Sequence, residues 1–419
     1  MKNTSILMAA LAAISIVGAA SASAEVVYVT GSTAFRSSAN TAITTFATNN
    51  GGHTLAQDNT TLGSAGNLLV NFVVSGTTNL IDVHWSGSEA GIQSVAGPAT
   101  GSNAAKIGFF ATNATGTNSS VGNSTSAQNT NSQVAQLSFS DTYQSTSIFN
   151  GTLQGVTYST LSGFDGSDGI VGVVSFNWIG SKNITASNIS QNLANQLLAA
   201  GTVPLALLTG SSADKTNGVY LFGRNIDSGT RLTTLSEVGY GARTPVVQYK
   251  FDSTSKIEPY PIETIDGISS GTLGNSGYSS GGTLAGLFTN TFAAGTNLAV
   301  VSIDGSTTNP SVYTGTNFLV GYAGTSDANG QTNNGLVKMS YDGVASGTNT
   351  IIQGQYTFWG YEHLYVSPSA DSVATEVATG LGDGILATPT STLTPNVNYN
   401  ELNAVVGRNG DGAPVYNQY

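Results

Sequence analysis

The chain has 419 residues, only 8% of them are charged, and its formal net charge at pH 7 is −11. This acidic balance excludes nucleic acid as the main partner, because nucleic acid is bound through a basic surface. The chain has no Cys, which excludes disulfides and a Cys-anchored lipoprotein. The length predicts one large or two medium-sized domains.

The first 24 residues have the pattern of a secretory signal peptide. Lys2 supplies a basic start, residues 6–17 form a short apolar run, and Ala22-Ser23-Ala24 is a typical cleavage pattern. The apolar run is too short for a transmembrane helix. We therefore expect a mature chain that begins at Glu25 and is periplasmic or secreted.

Short apolar runs alternate with amphipathic segments along the chain, which predicts an α/β fold. Strands are expected at residues 26–29, 68–75, 80–85, 169–176, 219–222 and 318–322, with aromatic strand material at 351–366. Helices are expected around 35–46, 92–95, 186–200, 232–238 and 284–288, and the last fifty or so residues should form a helix, a loop and a β-like tail. Residues 113–133 are rich in Asn, Ser, Thr and Gly and predict a flexible surface insertion.

Three predicted strand-to-helix turns carry small hydroxyl residues. The first turn of a helix has free N–H groups and a partial positive charge, so it can hold an oxyanion without a full cation. Ser and Thr are also the commonest helix N-caps, and for any one turn capping is the default role. The three turns are Gly31-Ser32-Thr33-Ala34, Ser86-Gly87-Ser88 and Asp227-Ser228-Gly229-Thr230.

Arg224 lies four residues before Ser228, on the strand side of the third turn. The guanidinium group of an arginine can hold two phosphate oxygens at once. A surface salt bridge is the alternative role, but the chain has only 12 basic residues and places one of them beside a Ser-Gly-Thr turn. Arg224 together with the three turns therefore favours an oxyanion site.

At this point the residues resemble a known family. Arg224-x-x-x-Ser228-Gly229-Thr230-Arg231 is similar to the signature turn of the phosphate-binding proteins that serve ABC phosphate importers. The resemblance covers roughly residues 26–366, is most specific at this turn, and is poor in the tail. Further similar segments are 31–34 (first phosphate loop), 86–92 (Gly-Ser loop), 137–141 (the stretch that ends in the phosphate-accepting Asp), 318–322 (a Gly-containing strand) and 353–365, which lacks the usual Pro near Tyr356.

The resemblance implies a two-lobed periplasmic-binding-protein fold of type II, with two interlobe crossovers and a ligand cleft. Lobe 1 would comprise residues 25–180 and 323–419, and lobe 2 residues 181–322. The implied ligand-binding residues are Ser32, Thr33, Ala34, Ser88 and Asp141 from lobe 1, and Arg224, Ser228, Gly229 and Thr230 from lobe 2.

Asp141 has a specific role in this implied site, which is to accept the proton of hydrogen phosphate. Sulfate at neutral pH carries no proton and would face a repulsive carboxylate, so the site would discriminate against it. The alternative role for Asp141 is a helix N-cap after Ser140.

The implied function is the capture of phosphate or a similar oxyanion by a monomer that delivers it to an inner-membrane ABC permease. We expect no catalysis, because no Ser/His/Asp arrangement with a nucleophile elbow is present. We expect no cofactor or metal either, because no two of the three His have metal-ligand spacing and Cys is absent. Residues 165–169 resemble a calcium loop only faintly, since Phe176 occupies the position at which such a loop needs Glu.

A secreted surface or matrix protein that reuses the same fold is the alternative function. The polar insertion and the unusual tail motivate it. This alternative predicts that the three turns are plain helix caps, that the cleft is filled or dry, and that Arg224 points into solvent.

Overall fold

The fold is described from a computed structural model of the chain. The structure describes residues 24–117, 131–253, 256–260, 276–289, 299–301 and 308–418. The predicted signal peptide, except for Ala24, lies outside the described residues, and so does most of the predicted insertion. The two ends of the insertion, residues 113–117 and 131–133, are described and contribute short strands to the fold.

The strands follow one another along the whole chain. They are β1 (Val26–Gly31), β2 (Thr54–Gln57), β3 (Asn67–Val74), β4 (Thr77–His84), β5 (Ile107–Phe109), β6 (Gly116–Thr117), β7 (Asn131–Gln133), β8 (Leu137–Ser140), β9 (Gly151–Leu153), β10 (Val156–Tyr158), β11 (Ser162–Gly163), β12 (Ile170–Gly180) and β13 (Asn188–Ile189). The later ones are β14 (Thr202–Pro204), β15 (Gly218–Phe222), β16 (Tyr249–Ser253), β17 (Lys256–Pro259), β18 (Ala299–Val301), β19 (Thr308–Pro310), β20 (Asn317–Gly324), β21 (Val337–Lys338), β22 (Ser340–Tyr341), β23 (Trp359–Val366), β24 (Val397–Asn398), β25 (Val406–Gly407) and β26 (Tyr416–Asn417).

Helices alternate with these strands. They are α1 (Arg36–Asn49), α2 (Ser88–Ala96), α3 (Gln191–Ala200), α4 (Ala206–Thr209), α5 (Gly229–Glu237), α6 (Gly281–Leu287), α7 (Thr325–Thr332), α8 (Thr348–Ile352), α9 (Ser372–Leu386), α10 (Thr390–Leu393) and α11 (Tyr399–Asn403). Each of the three predicted strand-to-helix turns joins a strand to a helix, as β1 to α1, β4 to α2 and β15 to α5.

One large mixed sheet organises the described part of the chain. Its strand order is β14-β15-β20-β12-β23-β8-β1-β4-β3-β2-β6, with β11 paired to β23 and with β21 and β24 paired to β12. β1 is parallel to β4 and β8, and β15 is parallel to β20, whereas β12 is antiparallel to both β20 and β23. The prediction of an α/β fold is confirmed.

β12 joins two parts of this sheet. Its first half pairs with β23, from Ile170 to Ser175, and its second half pairs with β20, from Phe176 to Gly180. All of its residues after the first are buried, as its run of Val, Phe, Trp and Ile predicts for a central strand. The boundaries expected for the two lobes fall at the end of β12 and inside β20.

The main hydrophobic core runs across both parts of the sheet. It includes Phe139 and Trp359 from one part and Val219 and Leu235 from the other. A second hydrophobic cluster packs around Phe222 at the end of β15 and Phe288, which directly follows α6. Among the described helices, none is long and apolar enough to span a bilayer.

Two predicted elements differ from the structure. The helix expected over 186–200 begins only at Gln191, because Asn188 and Ile189 form β13 with β22, and Ser190 caps the helix by accepting a hydrogen bond from the Leu193 N–H. Tertiary strand pairing therefore overrides the local helical pattern. Ile351 lies in helix α8 and not in a strand, and strand structure resumes at β23.

The tail after β23 contacts both parts of the molecule. β24 pairs with β12, and α9 packs on α1. Arg408 Nη1 donates to Glu237 Oε2 of α5 over 3.1 Å, and both side chains are buried. The tail therefore connects the α1 side of the sheet to α5.

Candidate oxyanion-binding site

The residues predicted to bind ligand are buried together where strands end and helices begin. The exposed fraction is 2% or less for Ser32, Ser88, Asp141, Arg224, Ser228 and Thr230. Ala34 and Gly229 are also buried, and Thr33 is partly buried. None of these side chains is in the solvent-exposed position that a simple surface cap would occupy.

The turns before α2 and α5 touch each other. The Glu89 N–H in the first turn of α2 donates to the Asp227 carbonyl oxygen just before α5, over 3.0 Å. Gly87 has a φ of +104° and a Cβ there would lie 2.6 Å from the same oxygen, so both its backbone and the close contact require glycine. The N-terminal ends of the two helices are therefore held face to face.

Asp141 follows β8 and lies between these two helix ends. The Ser88 hydroxyl donates to Asp141 Oδ1, and the Asp141 N–H donates to Ser88 Oγ over 3.3 Å. From α5, the Thr230 hydroxyl bonds to the Asp141 carboxylate, and Thr233 Oγ1 donates to the Asp141 carbonyl oxygen over 3.1 Å. A Cβ at Gly229 would lie only 1.7 Å from Asp141 Oδ1, so glycine is needed there.

The alternative role of Asp141 as a helix N-cap does not hold. The residues that follow it up to Asn150 form turns and bends, and no helix begins among them. The carboxylate is used instead to connect α2 with α5.

Arg224 is buried at the end of β15 and does not point into solvent, contrary to what the surface-protein alternative predicts. Its Nε donates to the Tyr278 carbonyl oxygen over 3.0 Å and its Nη2 to the Ser279 carbonyl oxygen over 2.9 Å. A Cβ at Gly281 would lie 3.0 Å from Arg224 Nη1 and 2.2 Å from Asp327 Oδ2. The guanidinium group therefore faces Asp327 across this glycine.

The charges of the site act on one another in a region with little water. Burial raises the pKa of Asp141, an effect opposed by the Ser88 hydrogen bond and by Arg224. Burial lowers the pKa of Arg224, opposed by Asp327 and Asp141. Burial also raises the pKa of Asp327, opposed by Arg224 and Arg36. Buried charges are costly unless they are paired, and here Arg224 and Arg36 face the carboxyl groups of Asp141 and Asp327.

Sequence reasoning missed three charged residues of this region. Arg36 is the first residue of α1, and its Nε is buried without a hydrogen-bond partner among the described residues. Asp327 lies in the first turn of α7 after β20, a fourth strand-to-helix turn that the same pattern search could have found. Glu362 lies inside β23, where a charged residue in an aromatic strand is a detectable signal.

The hydroxyl groups of the turns are used in different ways. Ser228 Oγ accepts a hydrogen bond from the Arg231 N–H and so caps α5, as the capping alternative predicts for this turn. Its O–H remains available as a donor. Ser32 Oγ accepts from the Phe35 N–H over 3.3 Å, whereas α1 and α2 have no side-chain cap hydrogen bond.

The site brings together groups of the kind that can hold an anion. Two arginines, the Ser88 and Thr230 hydroxyls and two facing helix N-termini supply donors, and Asp141 supplies an acceptor. In the part of the chain that the structure describes, no three His, Asp or Glu side chains are grouped to hold a metal ion.

Comparisons with known proteins add the following. No family model matches the chain, and no curated protein matches it significantly. Similar solved structures include a candidate phosphate ABC transporter substrate-binding protein with bound phosphate from Clostridium perfringens, with 12% identity, a TM-score of 0.44, and coverage of 88% of this chain and 96% of that chain. An ABC-type phosphate transport receptor from Vibrio cholerae has 9% identity, a TM-score of 0.42, and coverage of 88% and 96%. PstS from Borrelia burgdorferi has 12% identity, a TM-score of 0.38, and coverage of 89% and 98%. Similarities this low do not establish the function of this chain.

Proposed function

We propose that the chain is an extracytoplasmic solute-binding protein that captures phosphate or a similar oxyanion and catalyses no reaction. One observation carries this proposal. A fully buried arginine, Arg224, lies near a buried carboxyl, Asp141, whose partners Ser88 and Thr230 belong to two facing helix N-termini. This combination of donors with one acceptor suits an oxyanion that still carries a proton.

The proposed lobes comprise residues 25–180 plus 323–419, and residues 181–322. In this division Ser88 and Asp141 belong to the first lobe, and Gly229 and Thr230 to the second. Because Asp141 packs directly against Gly229, a ligand can enter only if the lobes separate. Ligand contacts on both lobes would then favour the closed form, and an inner-membrane permease would recognise it. The protein would act as a monomer.

The remaining predicted ligand-binding residues have distinct proposed tasks. The loop of Ser32, Thr33 and Ala34 would present backbone N–H groups at the start of α1. Ser228 would donate its O–H to the oxyanion while its Oγ still caps α5. The backbone N–H of Gly229 would point at the ligand from the first turn of the same helix.

The binding role is tested by isothermal titration of phosphate into the mature, ligand-stripped chain. We expect one site, and we expect Arg224→Met to weaken binding at least about 100-fold, or about 2.7 kcal/mol, because the main cation is lost. The matched control is Arg243→Met, which removes an exposed arginine whose Nη2 donates to the Ser147 carbonyl oxygen. Absence of phosphate and arsenate binding to the wild-type chain would refute the proposal.

The selectivity role of Asp141 is tested by the Asp141→Asn variant. An amide can donate to a bare sulfate oxygen, so we expect sulfate affinity to rise while much of the phosphate affinity remains. The measurement is competition between the two anions at pH 7. An unchanged ratio of phosphate to sulfate affinity would show that Asp141 does not set selectivity.

A further inference from the structure

Glu362 is a buried carboxyl group without an assigned role. It lies inside β23, and its exposed fraction is 0%. By bond geometry neither carboxyl oxygen has a hydrogen-bond partner among the described residues, and the nearby Ser32 side chain makes at most a weak bond that lowers the pKa of the group. A buried polar group that is left unpaired costs about 1–3 kcal/mol, so its presence needs an explanation.

The strand register places Glu362 at the oxyanion site. β23 and β8 are antiparallel with His363 opposite Ser140, so the next position on each strand sets Glu362 against Asp141. Side chains two residues apart on a strand share a face. A Cβ at Gly360, two residues before Glu362, would lie 2.8 Å from the Asp141 carbonyl oxygen and 3.5 Å from Thr233 Oγ1. The face of β23 that carries Glu362 is therefore the face that the site occupies.

The surroundings disfavour the charged form of this carboxyl. Burial is the main cause that raises the pKa of Glu362 well above its ordinary value, and the negative charge of Asp141 adds to it. Among the described residues, Asp141 is the charged group that acts on Glu362, and no cation pairs with it. A protonated carboxyl has one O–H donor to offer.

We propose that Glu362 is a ligand-facing acid that donates its O–H to a bare oxygen of the bound oxyanion. This inference rests on the proposed function. Asp141 would accept a proton from the ligand, and Glu362 would donate one to it. The pair then selects an oxyanion that carries both a protonated and an unprotonated oxygen, such as hydrogen phosphate or hydrogen arsenate, over a fully deprotonated one.

The test is titration of phosphate at pH 7 into the wild-type chain, Glu362→Gln and Glu362→Leu. Glutamine keeps a donor at this position, and leucine keeps a similar volume without one. We expect Glu362→Gln to bind within about threefold of the wild type and Glu362→Leu to bind about tenfold or more weakly, a difference of about 1.4 kcal/mol.

A second readout separates a ligand contact from a structural role. Without ligand, Glu362→Leu should unfold at the same or a higher denaturant concentration than the wild type, because it removes an unpaired buried polar group. Equal phosphate affinity of the leucine variant would overturn the inference. So would weakened binding that glutamine does not restore, or a leucine variant destabilised without ligand. If the wild-type chain itself binds no phosphate or arsenate, the proposed function fails and this inference falls with it.

Discussion

Helices α2 and α5 face each other with their N-termini at the site, yet they are held in different ways. α5 has a side-chain cap, in which Ser228 Oγ accepts a hydrogen bond from the Arg231 N–H, and its last residue, Glu237, pairs with Arg408 of the tail. α2 has no side-chain cap, and its Glu89 N–H bonds to Asp227 across the contact. The Ser88 hydroxyl of α2 bonds to Asp141 instead of its own helix.

This difference shows which groups can change partners. The cap of α5 and its ion pair with the tail do not depend on α2, so α5 can act as a rigid part of the proposed site. The N-terminus of α2 instead contacts Asp227 and Asp141, and the proposed ligand would have to replace these contacts to enter. The Ser-Gly patterns at the starts of α2 and α5 are similar in sequence but differ in role. Ser228 caps α5, whereas Ser88 of α2 bonds to Asp141.

The largest effect should come from the buried ion pair that holds the end of α5. Arg408→Met leaves Glu237 as an unpaired buried charge. It also removes the stacking of the guanidinium group on Trp359, whose ring centre lies 4.0 Å from Arg408 Cζ. We expect the free energy of unfolding to fall by about 3–5 kcal/mol in urea titrations. Arg243→Met, at an exposed position, should change it little. A loss below about 1 kcal/mol for Arg408→Met would show that α5 is not fixed in this way.

A smaller effect should come from the buried acid in the first turn of α2. Burial raises the pKa of Glu89 to about 8, and Asp411 and Asp141 add to this rise, whereas hydrogen bonds from Ser147 and Thr142 oppose it. Between about pH 4.5 and about pH 8, the Glu89 carboxyl is protonated in the folded chain but ionised in the unfolded chain, in which its pKa is near 4.3. The free energy of unfolding therefore falls as pH rises through this range.

The variant Glu89→Gln should remove this part of the pH dependence. We expect the stability difference between pH 5 and pH 8 to shrink by roughly 3.5 kcal/mol, measured by urea unfolding at both pH values. Glu376→Gln, at an exposed position on α9, is the matched control and should leave the difference unchanged. A pH dependence in Glu89→Gln equal to that of the wild type would contradict the assignment.

The smallest effect concerns the cap of α5. Ser228→Ala should lower the free energy of unfolding by about 1 kcal/mol, the usual cost of losing an N-cap. Ser190→Ala removes the equivalent cap of α3, away from the site, and should cost a similar amount. Only Ser228→Ala should also weaken phosphate binding, because it loses a donor to the ligand. Equal phosphate affinity of the two variants would limit Ser228 to capping.

The strands and helices on either side of the three turns could be predicted from local sequence patterns, because the periodicity of a strand or a helix is visible within a short segment. Ser88 and Arg224 could be singled out from the strand-to-helix turns in which they lie, whereas the role of Asp141 is implied only by the family resemblance. Glu362 stands out in the sequence as a charged residue in an aromatic strand, but its place beside Asp141 could not be predicted, because it depends on the antiparallel register of β23 with β8. The tail contacts α5 through the hydrogen bond from Arg408 to Glu237. These two residues are 171 positions apart in the sequence, and no local pattern predicts such a contact.

The most direct test of the account is a crystal structure of the mature chain grown with arsenate, in which arsenic is located by its anomalous scattering. We predict one strong peak enclosed by Arg224, Asp141 and Ser88, with Glu362 on its sheet side. A peak elsewhere, or none at this place under conditions in which titration shows binding, would contradict the assignment of the site.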